Sequence, residues 1–196
     1  MTAPVTVDGV IEVASRLKDS VAGLHEAYGL LPAVLEKEHR AIKTLDFPGF
    51  AEILPEKEAL GDRIEACFSA LTGAGERLGQ LRWRLTGEAG ARPATLSECV
   101  DVLDRLCQAF AGDALGGQVL THLTDRLRAL VVEFNALHTR VKPVIEANKA
   151  QVGILLHHFQ ESYRFWQEIQ ETTPAGYTAQ GVQKTTGMRD GFKAKA

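Results

Sequence analysis

Gln118–Glu171 reads QVLTHLTDRLRALVVEFNALHTRVKPVIEANKAQVGILLHHFQESYRFWQEIQE, 54 residues without a Gly-Pro pair or a polar cluster to interrupt them. At 1.5 Å per residue a single helix of this length spans roughly 80 Å. Leu120, Leu123, Leu127, Leu130, Phe134, Leu137, Val141 and Val144 recur at alternating spacings of three and four, the signature of one helical face. The apolar run resumes at Val152, Leu155, Phe159, Tyr163, Trp166 and Ile169. Its phase shifts by one position after Pro143, which predicts a kink or stutter there. Such a stripe must be covered, because apolar surface in water costs about 25 cal/mol per Å². What covers its far end is the question the rest of the sequence has to answer.

The preceding residues predict a hairpin. A first helix is expected from Thr6 to Leu45, carried by Val10, Ala14, Leu17, Val21, Leu24, Tyr28, Leu31, Leu35, Ile42 and Leu45, with Glu38 breaking the stripe. Gly29 and Pro32 weaken its middle and predict a kink. Asp46-Phe47-Pro48-Gly49 turns the chain back. A second helix from Phe50 to Leu85 carries Ile53, Leu60, Ile64, Cys67, Leu71, Ala74, Leu78, Leu81 and Leu85, with Lys57 as the polar interruption. Gly73, Gly75 and Gly79 each lower helicity by about 1 kcal/mol relative to Ala, and either admit a close neighbour or let the end fray.

Thr86–Pro93 is a Gly-rich connection. A shorter helix from Thr95 to Phe110 opens with Thr95 and Glu98 at capping-box spacing, and Ala111–Gly117 turns into the long helix. No stretch alternates like a strand. The expected fold is all-α: an elongated antiparallel helical hairpin or coiled-coil-like bundle with a long carboxy-terminal helix. Residues 1–171 form the bundle domain. Residues 172–196, with four Gly, five Thr and no Leu or Ile, lack the apolar surface to offset their ordering entropy and are expected to be a flexible basic tail.

The formal charge of −3 divides into about +3 in the tail and −6 in the body, and gives no global attraction to nucleic acid or anionic membrane. Three cysteines, Cys67, Cys99 and Cys107, contain no CxxC pair, and Cys67, on an apolar stripe, reads as a small buried hydrophobe. The amino terminus lacks the pattern of a signal peptide, and no run of 18 apolar residues occurs, so a cytoplasmic protein without membrane insertion is expected.

Catalytic patterns are weak. Glu36-Lys37-Glu38-His39 contains one Glu-x-x-His, but di-iron bundles need a second and two further glutamates. The reading is a solvated charged face, with no metal and no cofactor. His39 with Lys43 lacks the phosphorelay His-x-x-Lys-Gly pattern. No nucleophile elbow or phosphate loop is present. Arg77, Arg82 and Arg84 around Trp83 look like an ordinary amphipathic face rather than a nucleic-acid site. The chain is not expected to be an enzyme.

The helices themselves are then the functional surface. The first two fall short of the long one by roughly 20 Å or more at the same rise. That leaves the end bearing Phe159, Tyr163, Phe165 and Trp166 for a partner helix, for self-association, or for an internal core. A partner is favoured.

The chain also resembles the FlgN family of flagellar export chaperones. The resemblance lies in Leu35, Glu38, Ala41, Ile42 and Asp46, in Lys57 ahead of Leu60 and Ile64, in Asn148 of EANKAQVGILL, and in Tyr177-Thr178-Ala179-Gln180-Gly181. Thr178 and Gln180 stand where the family motif has Gly and Asp, and the resemblance rests on no motif within Thr86–Gly117, whose short helix is expected to be a local elaboration. The resemblance implies binding of the carboxy-terminal helices of the hook–filament junction proteins FlgK and FlgL, and their delivery to the export gate protein FlhA. Val152, Leu155, Phe159, Tyr163, Trp166 and Ile169 would be the client-binding residues. Tyr177 would dock on the gate. The competing reading is a structural coiled-coil protein of a secretion apparatus that acts by self-association.

Overall fold

The computed structural model describes residues 4–87 and 93–172, which form four α-helices: α1 (Val7–Thr44), α2 (Phe47–Thr86), α3 (Leu96–Ala109) and α4 (Gly116–Thr172). No strand occurs among the described residues. The chain divides into two compact units, Met1–Lys149 and Ala150–Ala196.

Local chemistry sets the boundaries. Thr6 caps α1 by accepting from the Gly9 amide at 3.3 Å. α1 ends at Leu45, which takes a left-handed conformation at φ 54° while its amide donates to Ile42 O and the Asp46 amide donates to Ala41 O. The Asp46 carboxylate then caps α2 by accepting from the Gly49 amide at 3.0 Å. The turn is therefore Leu45-Asp46, and Phe47, Pro48 and Gly49 belong to α2 rather than to a loop. Pro48 fits the first turn because its missing N–H has no helical acceptor there. Thr95 caps α3 by accepting from the Glu98 amide at 3.2 Å, and the Glu98 carboxylate reaches back to the Ala94 amide at 2.6 Å.

Pairings across the first unit fix the helix directions. Glu12 with Arg77, Glu26 with Arg63 and Lys37 with Glu56 make α1 and α2 antiparallel. Asp104 with Arg128 and Cys107 with Thr124 do the same for α3 and α4. α1 and α4 instead run parallel: Val7 lies against Gly116, Tyr28 against Phe134 and His138, and Glu38 against Asn148.

The main core joins all four helices through Val10, Leu17 and Leu24 of α1, Leu78 of α2, Leu103 and Leu106 of α3, and Leu120, Leu127 and Phe134 of α4. A smaller cluster of Ala27, Val34 and Leu60 continues between α1 and α2. Burial also pushes the Tyr28 phenol up from its ordinary value. The close approach of α1 and α2 falls at Gly23, where an added Cβ would meet Cys67 Sγ at 2.8 Å; Gly73 has open space beside it.

The buried face of α4 corrects the expected phase shift. Leu120, Thr124, Leu127, Val131, Phe134, His138, Val141, Ile145 and Asn148 are buried or half-buried, in unbroken steps of three and four through Pro143. Val152 and Leu155 keep the same spacing. The shift arises from counting Val144, which is 42% exposed, in place of its neighbour Ile145. Glu38 and Lys57 likewise lie on their stripes rather than interrupting them.

Candidate functional site

Three polar residues on the buried faces meet in the first unit. Glu38 is 1% exposed, and its two carboxylate oxygens accept from Lys57 Nζ at 2.5 Å and from Asn148 Nδ2. Asn148 is itself buried, and its Oδ1 has no partner. Lys57 keeps part of its side chain in water at 39% exposure. One cation and one amide thus compensate a carboxylate that would otherwise be costly to bury. This arrangement corrects the reading of Glu36–His39 as a wholly solvated face. Glu36 does pair with Arg40 at 2.6 Å and Lys37 with Glu56 at 2.7 Å on the outside, but Glu38 turns inward.

The contact specifies register. Apolar seams that repeat every seven residues match equally well after a slip of one heptad, roughly 10 Å of helix. A slip that moves Asn148 or Lys57 away leaves Glu38 buried without its donors. The sequence signal for this cluster is legible afterwards: an acid and a base each occupy a core position on consecutive helices of a hairpin.

The second unit presents the opposite chemistry. Among its described residues none is buried. Of the six expected client-binding residues, Val152, Leu155 and Ile169 are half-buried, whereas Phe159, Tyr163 and Trp166 are 46%, 63% and 60% exposed. Ile154, Leu156 and Phe165 are also exposed on this stretch, and the sequence reading left them out of the site. Phe165 and Trp166 stand edge to face with centroids 6.2 Å apart. Since an aromatic side chain carries about 150–250 Å², the four aromatic residues leave on the order of 500 Å² open, within the range of the largest apolar patches on monomers. On the polar side His157 lies 3.3 Å from Glu161, with Arg164 and Glu168 on the same face. Tyr177 lies outside the described residues.

His39 is half-buried and Lys43 exposed on α1. Arg77 is engaged with Glu12 at 3.5 Å, and Trp83 is exposed. No group of three or more His, Cys, Asp or Glu side chains that could hold a metal ion occurs among the described residues. No helix among them is long and apolar enough to cross a membrane.

The sequence model of the family described as FlgN protein matches residues 13–185. That span takes in both the buried polar cluster and the exposed aromatic stretch. No curated protein and no solved structure gives a match.

Proposed function

The chain belongs to the FlgN family of flagellar export chaperones, and on that premise we propose that residues 150–169 of α4 are the docking face for an export client. Val152, Leu155, Phe159, Tyr163, Trp166 and Ile169 take up the apolar face of client helices. Those helices are the carboxy-terminal segments of the junction proteins FlgK and FlgL, which the chaperone keeps soluble in the cytoplasm. Delivery follows through FlhA, with Tyr177 as the gate-docking residue.

The observation that carries this reading is the contrast between two stretches of one helix. Up to Asn148 the core-facing positions of α4 are buried or half-buried, while the aromatic residues between 159 and 166 are about half open to water. An apolar face rich in Phe, Tyr and Trp is suited to binding, because few rotamers are lost when such side chains are covered. Gel filtration with light scattering, on the chain alone and with a FlgK or FlgL carboxy-terminal fragment, tests it. A stable complex with a fragment supports the proposal. A tight homodimer that ignores both fragments overturns it in favour of structural self-association.

A further inference from the structure

The exposed face is too wide for one helix. In the seven-residue repeat that places Phe159 and Trp166 on the seam, one flank of α4 reads Arg128, Asn135, Lys142, Lys149 and then Leu156 and Tyr163, all solvent-exposed. Polar and charged flanking positions are usual beside a helix seam and confine contact to it. At residue 156 this flank turns apolar. Leu156 is 58% and Tyr163 63% exposed, so both present more than half of their surface to water. The opposite flank carries Phe165, also 58% exposed, with Ile154 beyond it at 59%.

At 100° per residue, the arc from Ile154 and Phe165 across Trp166 and Phe159 to Tyr163 and Leu156 covers about 200° of the helix, interrupted by Gln151, His158 and Ser162. A stripe that faces a single core direction is about half as wide. Tyr163 and Phe165, two residues apart, point to opposite sides of the seam. A helix lying on either flank leaves the other in water.

Resting on the client reading above, we propose that the site takes two amphipathic helices of one client, one along the Tyr163 flank and one along the Phe165 flank. A second copy of this chain is a poorer occupant. It offers one helix of about three heptads, and its docking along Phe159 and Trp166 leaves Tyr163 or Phe165 uncovered on each copy. The area agrees with a paired occupant. A stable interface buries about 800 Å² per partner, and Phe159 and Trp166 on the seam together with Tyr163 and Phe165 on the flanks supply on the order of 500 Å² of it. Two helices within one polypeptide also bear the loss of translational freedom once rather than twice.

The test titrates the full chain with the FlgK or FlgL carboxy-terminal fragment used above. Tyr163→Asp and Phe165→Asp are compared separately, with circular dichroism confirming that each variant remains helical. Each substitution is expected to weaken fragment binding at least tenfold. A photo-crosslinking amino acid placed at position 163 and at position 165 is expected to label two different segments of the fragment, separated along its sequence. If only one substitution weakens binding, or both positions label the same segment, the two-helix occupant is wrong and the client reading stands. If the unaltered chain binds neither fragment, the client reading itself fails and this inference with it.

Discussion

Lys57→Met isolates the energetic role of the buried polar cluster. Glu38 is 1% exposed and accepts from Lys57 at 2.5 Å and from Asn148, so the substitution leaves a buried carboxylate with a neutral amide as its remaining partner. Breaking a buried ion pair from one side costs about 3–5 kcal/mol. The lower end applies here, because Lys57 is 39% exposed and water can enter where its ammonium stood. A loss of about 3 kcal/mol corresponds to roughly 6–12 °C in Tm for a chain of this size. Replacing all three partners, as Glu38→Leu with Lys57→Met and Asn148→Leu, removes the uncompensated charge and is expected to restore stability to within about 1 kcal/mol of the parent or above it. Urea denaturation followed by circular dichroism at constant slope measures both. A Lys57→Met loss below about 1 kcal/mol, or a triple variant less stable than the single one, would refute the assignment of the cluster as a compensated buried charge.

Three further outcomes follow from particular contacts. Gly23→Val forces a side chain toward Cys67 Sγ, 2.8 Å from an added Cβ, and is expected to cost about 1–3 kcal/mol; Cys67→Ala in the same chain should recover much of it in thermal melts. Phe159→Asp with Trp166→Asp is expected to abolish binding of junction-protein fragments in calorimetry while leaving helicity and Tm within error, since both side chains are about half or more exposed. Tyr177→Ala is expected to leave fragment binding intact and reduce export of the client. Equal loss of client binding in the Tyr177 and Phe159/Trp166 variants would show that the α4 face and Tyr177 do not divide the work.

Most of the fold was legible because helical periodicity is a local property. The four helices fall within three residues of their expected ends, and the caps at Thr6, Asp46 and Thr95 are set by side chains adjacent in sequence. What was not legible depended on partners distant in sequence. Glu38 looked like a break in a stripe because the residues that satisfy it, Lys57 and Asn148, lie on two other helices. The apparent phase shift after Pro143 came from two adjacent apolar lines on α4, one including Ile145 and the other Val144, which sequence alone cannot rank by burial. The close approach of α1 and α2 at Gly23 was missed for a related reason. Three glycines clustered in α2 are a visible local signal, whereas a single glycine opposite a cysteine on another helix leaves none. At the candidate site the aromatic end, Phe165 included, is visible in the sequence, whereas the exposure of Ile154 and Leu156 depends on what the fold leaves uncovered.

Hydrogen exchange with and without a saturating FlgK or FlgL carboxy-terminal fragment tests the central claim most directly. The account predicts new protection concentrated in residues 150–169 of α4, with the amides around the Glu38, Lys57 and Asn148 cluster unchanged. Protection confined to residues 7–109, or a bound fragment that leaves residues 150–169 exchanging as before, would contradict it.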